Sequence, residues 1–293
     1  MSLYDRLGER VPIDLGWSGD RKYRATDGRG TPYLLRITEG EKAKTRREMF
    51  AHHERIAALG IPMCLPVECG ECEGGVYTIY TWVDGVDAEG YIPTLPPEEQ
   101  YAYGYRAGEI LARIHSIDAP AGTPPWSERY GAKIDRKIRM YRECPLRYEN
   151  DGKLFLMIEE GRALVADRPS SYQHGDYHIG NMMVAGGELV IIDFDRFDVG
   201  DPWEEFNRIV WCVAVSEEFA SGMVDGYFDG RVPVEFWRLL SLYVATNTLS
   251  SLPWAIPFGE GEIEVMRNQA KDFLDWYAGD RYPVPRWYKG ERK

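Results

Sequence analysis

Along the first 83 residues, apolar positions fall in short alternating runs separated by turn residues, the pattern of antiparallel strands joined by hairpins. Strands are expected within residues 13–37, broken at 16–20 and at Asp27-Gly28-Arg29-Gly30, with Tyr33-Leu34-Leu35-Arg36-Ile37 as the last of them. The period then changes. Residues 41–59 are rich in helix formers, place Met49, His53, Ile56 and Ala57 near one face, and stop at Gly60 with Pro62 beyond. Strands return at 63–67 and 76–83, with the turn-rich 70–75 between them and Asp84-Gly85 closing the set.

From residue 94 onward the helical period dominates. Thr94-Leu95-Pro96-Pro97-Glu98-Glu99 reads as a helix start, and Tyr101, Tyr105, Gly108, Leu111, Ala112 and His115 follow at helical spacing. The Pro- and Gly-rich residues 117–132 predict a loop. Helices are expected over 132–142, 153–166, 201–215, 216–227, 233–250 and 262–277, and residues 281–293 read as a basic, proline-containing tail. A hairpin interrupts this series: Asn181-Met182-Met183-Val184, the turn Ala185-Gly186-Gly187, then 188–192.

At 293 residues, 44% hydrophobic and 28% charged, the chain is globular and long enough for two lobes, with disorder expected only at its ends. Its 47 acidic against 35 basic residues give a net charge of −12, which opposes nonspecific binding to nucleic acid or to an anionic membrane and either serves solubility alone or favours a cationic substrate. The longest apolar runs, such as 209–215, are too short to cross a bilayer, and the first residues lack a basic start and an apolar core. A cytoplasmic protein is expected. Cys64, Cys69 and Cys72 have a spacing compatible with zinc, but a fourth ligand is missing nearby, so reduced structural thiols are the expectation.

The chemistry concentrates in His174-Gly175-Asp176-Tyr177-His178-Ile179-Gly180-Asn181 and in Ile191-Ile192-Asp193-Phe194-Asp195. An Asp, an Asn five positions on, and a second Asp after a hairpin are what phosphoryl transfer needs: one group to orient an attacking hydroxyl, and two oxygen ligands for a hard cation. Asp176 is the candidate base, and Asn181 and Asp193 are the candidate Mg2+ ligands.

These two motifs, with Gly200-Asp201-Pro202 leading into Trp203-Glu204-Glu205-Phe206 and the earlier Gly108-Glu109-Ile110-Leu111-Ala112-Arg113-Ile114-His115-Ser116, resemble the aminoglycoside phosphotransferase and choline kinase superfamily. The resemblance spans most of the chain. It implies an α+β, bilobal, protein-kinase-like fold: an N-lobe over 1–83 with a small antiparallel sheet and one helix, and a larger, mainly helical C-lobe over 84–293 carrying the catalytic loop and the acceptor helices. It implies ATP, or GTP, and Mg2+ as cofactors, and assigns Asp176, Asn181 and Asp193 the roles just given. His174 would support the loop backbone and Glu205 would brace the loop, while His178 is expected to pack or to satisfy loop groups. For Asp195, in place of the glycine of a protein-kinase D-F-G, contact with metal or water and a structural hydrogen bond both stand open.

On the nucleotide side Arg36 occupies the place of the usual Lys, with Glu48 as its expected partner and Glu54 as the weaker choice. Ser18 and Gly19 lie in the turn 16–20, which reads as a plain hairpin turn or, from its position before Arg36, as a loop whose backbone amides approach phosphate. Thr81 and Val83 offer backbone groups to a purine, and Leu34 and Ile192 complete the nucleotide set. The implied acceptor is a small hydroxylated, amine-bearing compound such as an aminoglycoside. Asp272, Asp275, Trp276 and Tyr277, with Glu159 and Glu160, would form an acidic aromatic pocket for it, or else a solvated amphipathic face. The alternatives are a kinase for choline, an amino alcohol or a sugar, and a nucleotide-binding pseudokinase. A protein kinase is disfavoured, because no long activation loop or A-P-E follows Asp195.

Overall fold

The computed structural model describes residues 1–14, 19–278 and 282–290. In chain order its elements are α1 (Leu3–Arg6), β1 (Arg10–Pro12), β2 (Arg21–Thr26), β3 (Pro32–Thr38), α2 (Lys42–Ala57), β4 (Pro66–Cys72), β5 (Gly75–Thr81) and β6 (Val86–Asp87). Next come α3 (Ala88–Tyr91), α4 (Pro97–Ile114), α5 (Trp126–Glu143), α6 (Asp151–Gly161), β7 (Ser171–Gln173), β8 (Met182–Ala185) and β9 (Glu188–Ile191). β10 (Asp198–Gly200), α7 (Ile209–Val215), α8 (Glu217–Phe228), α9 (Val234–Ala255) and α10 (Glu260–Asp275) complete the series. This is the α+β class expected. Among the described residues, no helix is long and apolar enough to cross a membrane.

One compact unit consists of Met1–Ala88 and Asn181–Phe197, the other of Glu89–Gly180 and Asp198–Lys293. The hairpin around residue 185, which sequence order assigns to the second lobe, thus packs with the first unit. Its strands β8 and β9 form a small sheet with β6.

The main sheet of the first unit runs β1-β2-β3-β5-β4, and each neighbouring pair is antiparallel. Alternation along β3 decides its two faces. Leu35 and Ile37 join Leu3, Leu7, Ala25, Tyr77 and Ile79 in a buried cluster. Arg36 and Thr38 face the other way, and Thr38 there accepts a hydrogen bond from Arg46 of α2 at 3.0 Å. The helix expected over 41–59 forms, but its buried stripe is Arg46, Phe50, His53 and Ile56. The strand expected at 63–67 instead runs over β4, through the region read as a turn. Gly70 lies directly opposite Tyr77 in the ladder, and a side chain at Gly70 would collide with the Tyr77 ring. Cys69 and Cys72, three apart on this strand, face opposite sides, and Cys64 is buried ahead of it. That arrangement removes the zinc option: Cys72 packs on the apolar cluster, whereas Cys69 lies in the field of Arg47 and Arg46 of α2.

In the second unit α9 is the hub, with fourteen buried residues. α4 and α8 cross so closely that a Cβ at Gly104 or Gly108 would strike the backbone of α8, and one at Gly222 or Gly226 the backbone of α4. Both helices carry the pair of glycines four residues apart that such an approach requires. The loop expected over 117–132 is shorter than predicted, because α5 begins at Trp126 directly after Pro125. Trp126, Tyr130, Ile134 and Tyr141 supply its buried stripe. The tail is likewise docked in its described part: Trp287 and Tyr288 are buried, and Tyr288 donates to Asp225 Oδ1 at 2.5 Å.

Candidate active site

The helix expected over 201–215 is replaced by a 3-10 turn, Glu204–Arg208, and then α7, because its acidic residues are drawn into partners. Asp201 is fully buried and accepts from Arg168 Nε at 2.7 Å and Nη2 at 2.8 Å, and from Tyr243 Oη at 2.5 Å. Glu204 takes the Lys133 ammonium at 2.7 Å; burial opposes its charge, yet Lys133 and the further cations hold its carboxyl below the usual range. Glu205 reaches the loop that carries Asp176. Its Oε2 accepts from the backbone amide of His174 at 2.8 Å and its Oε1 from that of Gly175 at 2.5 Å. His115, at the end of α4, places Nε2 3.0 Å from the same Oε2 and Nδ1 3.0 Å from Tyr227 Oη.

Asp176 follows this pinned dipeptide in the second unit. Its amide donates to His174 Nδ1 at 3.3 Å, so His174 serves the loop backbone. The side chain of His178 does two things: Nδ1 accepts from the Gly180 amide at 3.2 Å, and Nε2 lies 3.8 Å from Asp176 Oδ1. Arg208, which no sequence motif marks, sets Nε 3.1 Å from Asp176 Oδ1. Beyond His178 lies the Trp211 ring, 6.1 Å away between centroids, and Trp211 walls a cavity of about 380 Å³ between α7 and α10. Asp272 and Trp276 line this cavity with Glu217 and Arg286. Glu159 does not: it borders a separate recess with Arg139, Arg142 and Arg162.

Asn181 and Asp193 belong to the first unit. The Asn181 carbonyl accepts from the amide of Ile192 at 3.0 Å, which closes the base of the hairpin. Asp193 has a left-handed backbone, φ 62°, a conformation that costs energy in a non-glycine residue. Oxygen ligands from an amide and a partly exposed carboxylate suit a hard divalent cation.

Arg36 is buried among carboxylates. Its Nη2 lies 3.0 Å from Asp20 Oδ2 and also contacts Asp195, and its Nη1 lies 3.4 Å from Asp193 Oδ1. Burial works against the guanidinium charge, but Asp195, Asp193 and Asp20 outweigh it and hold the group above its ordinary range. Arg46 closes the network, 2.6 Å from both Asp20 and Asp195. For Asp195, too, burial is outweighed, here by Arg36 and Arg46, and its carboxyl sits below the usual range. The expected pairing of Arg36 with Glu48 is therefore corrected. Glu48 is exposed on α2, and the helix contributes a cation to this network while the carboxylates come from Asp20 and Asp195. Glu54, the weaker choice, is exposed on the same helix.

The other expected nucleotide residues that the structure describes all lie in the first unit. Leu34 is half-buried on the Arg36 face of β3, and Ile192 and Val83 are half-buried. The Thr81 amide donates to the Leu65 carbonyl at 2.9 Å and its hydroxyl accepts from the Leu65 amide at 2.8 Å, so of its backbone groups the carbonyl is the one to offer a purine. Gly19 is exposed, and Ser18 lies outside the described residues. Lys22, which no sequence motif marks, stands directly opposite Arg36 on β2. Burial and the neighbouring Arg36 draw its ammonium below the usual range.

Residues 9–237 match the phosphotransferase enzyme family. The chain belongs to this family. No curated protein matches it at the sequence level. Among solved structures, the chain is similar to a thermostable mutant of aminoglycoside phosphotransferase APH(4)-Ia in complex with ADP and hygromycin B, at 18% identity and a TM-score of 0.66, covering 94% of this chain and 96% of that one. It is similar to a choline/ethanolamine kinase family protein from Mesorhizobium loti at 18% identity and a TM-score of 0.65, covering 92% and 88%. An amicoumacin kinase in complex with AMP-PNP, Ca2+ and Ami has 14% identity and a TM-score of 0.63, covering 90% and 88%. At these identities the likeness is one of fold, the kinase-like fold expected.

Proposed function

We propose that this phosphotransferase moves the γ-phosphate of ATP, with GTP as the alternative donor, to a hydroxyl of a small amine-bearing acceptor. The observation that carries this reading is the loop built on Glu205, which ties down the amides of His174 and Gly175 and leaves Asp176 next to Arg208 and His178. In this role Asp176 orients and receives the proton of the attacking hydroxyl, and the pinned backbone keeps the carboxylate in one place while it does so. Asn181 and Asp193 hold Mg2+; bound there, the ion offsets charge on the transferring group. The fold relatives bound to ADP or AMP-PNP, one of them with Ca2+, support a nucleotide donor and a divalent ion.

The acceptor class follows from the cavity beyond His178. Trp211 and Trp276 offer aromatic faces and Asp272 a carboxylate, while Glu217 is paired with Lys289 at 3.1 Å; aromatic faces beside a carboxylate suit a protonated amine. Of the acidic aromatic pocket expected from sequence, Asp272 and Trp276 support this reading, while Glu159 does not. A coupled assay for ADP over a panel of aminoglycosides, choline, amino alcohols and sugars tests the proposal. Phosphorylation of at least one amine-bearing acceptor is expected; nucleotide binding with no acceptor phosphorylated anywhere in the panel would sink it.

The saturation of Arg36 by three carboxylates favours one competing reading, a nucleotide-binding pseudokinase. Turnover that disappears in Asp176→Ala rejects that alternative.

A further inference from the structure

We infer that the acceptor carries a carboxylate as well as an amine, and that Asp272 receives its ammonium while Arg286 receives its carboxylate. The inference rests on the phosphotransferase reading and narrows the acceptor to hydroxyl-bearing amino acids.

Two opposite charges line one space without using each other. Asp272 and Arg286 both border the cavity of about 380 Å³ between α7 and α10. Among the described residues, neither side chain makes an ion pair or a hydrogen bond, with the other or with any third group. Glu217, on the same lining, is different: Lys289 lies 3.1 Å from its carboxylate and 2.5 Å from that of Glu218. Lys289 is thus committed, and Arg286 is the cation left to the cavity. A ligand with an ammonium and a carboxylate close together satisfies Asp272 and Arg286 at once.

The backbone places both residues. Gln269, Asp272 and Trp276 recur at helical spacing on the cavity face of α10, apart from Met266, Ala270 and Phe273, which the helix buries. The Arg286 amide donates to the Trp276 carbonyl at 2.9 Å, and Pro285 and Trp287 on either side of it are buried. The guanidinium therefore extends from a docked segment.

The rest of the lining fits the same ligand. Trp211 and Trp276 give aromatic faces to an ammonium, and the side-chain amides of Asn268 and Gln269, also without hydrogen-bond partners among the described residues, can serve either charged group. A guanidinium takes a carboxylate through two parallel hydrogen bonds, which fixes orientation as well as affinity. The volume lies near the lower end of the range for ligand pockets, about 300–1,000 Å³, and suits a compact acceptor. Trp211 links this space to the candidate base through His178, whose Nε2 is 3.8 Å from Asp176 Oδ1. A hydroxyl on the amino acid's side chain then points toward Asp176. Its oxygen bonds to the γ-phosphorus, its proton passes to Asp176, and the bond from that phosphorus to the departing ADP oxygen breaks.

The test uses matched pairs: serine with ethanolamine, homoserine with aminopropanol, and hydroxylysine with its decarboxylated amine. Each amino acid differs from its partner only by the carboxylate. Steady-state rates with Mg·ATP are measured for the wild-type protein, Arg286→Met, Arg286→Lys and Asp272→Asn, with thermal melting of each. In the wild type, at least one amino acid is expected to exceed its partner in kcat/KM about 10- to 100-fold, the worth of a charge-assisted contact. Arg286→Met is expected to erase that ratio, mainly through KM, with the melting temperature near wild type, and Arg286→Lys to recover part of it. Asp272→Asn is expected to lower kcat/KM for both members of a pair and so to keep the ratio. Amino alcohols or aminoglycosides that turn over as well as the amino acids or better, or a ratio that survives in Arg286→Met, overturn the assignment and leave the phosphotransferase reading standing. No phosphorylation of any amine-bearing compound, in these pairs or in the wider panel, overturns both.

Discussion

Arg208 holds its Nε 3.1 Å from Oδ1 of Asp176, so a guanidinium stands within hydrogen-bond range of the candidate base. The contact restricts rotation of the carboxylate and so sets the direction from which an acceptor hydroxyl can approach it. Replacing Arg208 with Met is expected to reduce kcat about tenfold through a less defined carboxylate, with the KM for nucleotide little changed and Arg208→Lys intermediate. Steady-state kinetics on any acceptor that turns over checks this, and a rise in nucleotide KM with unaltered kcat would assign Arg208 elsewhere.

Glu205 is a buried carboxylate with three partners on two segments: His115, the His174 amide and the Gly175 amide. Glu205→Gln keeps the shape but turns one acceptor oxygen into a donor facing another donor. A loss of about 2 kcal/mol in stability is expected, with a fall in kcat larger than the change in either KM. Urea unfolding and kinetics on the same preparation separate the two effects.

The α4–α8 crossing makes a sharper stability prediction. A Cβ on Gly222 would press into the Tyr101 carbonyl and come within 2.8 Å of the Tyr105 amide nitrogen, and neither backbone atom can rotate away. Gly222→Ala is therefore expected to cost about 2–3 kcal/mol. Gly131→Ala, on open space in α5, should be neutral or mildly stabilising in the same denaturation series.

Lys137 gives the pH dependence. Burial first, then the positive charges of Lys133 and Arg208 against the opposing pull of Glu204, bring its ammonium down to about 7, and its Nζ donates to Asn247 Oδ1 at 3.0 Å. The unfolded chain keeps this group protonated to about pH 10. Between about pH 7 and 10 the unfolded state thus binds the extra proton, and stability gains from this residue as pH rises; below about pH 7 both states are protonated and the contribution is flat. Relative to Lys137→Met, the wild-type protein should grow more stable from about pH 7 to about pH 9. Parallel slopes for the two proteins would contradict it.

The motif loop and the hairpin are legible in the sequence because their residue types are tied to chemistry at fixed short spacings. Arg208 and Lys22 are not, for a common reason: each is defined by a partner distant in the chain, Asp176 in one case and Arg36 in the other. Glu48 fails as a partner because α2 turns it to solvent and presents Arg46 instead, toward carboxylates that arrive from Asp20 and Asp195. The sequence pattern misplaces β4 and the start of α5 where glycine and proline act within a packed element, Gly70 under Tyr77 and Pro125 at a helix start.

The docking of Trp287 and Tyr288 sets an order on synthesis. Tyr101 of α4 and Tyr288 share the two oxygens of Asp225 on α8, and the Trp237 ring of α9 packs against both late aromatic residues. A ribosome that has released residues 97–275 has therefore made every helix from α4 to α10, yet not the plug that seals them. Until residue 288 clears the exit tunnel, Asp225 has Tyr101 but not Tyr288 as a partner and the Trp237 indole lacks its two late aromatic neighbours, so the nascent chain passes through a stage in which chaperone capture competes with closure.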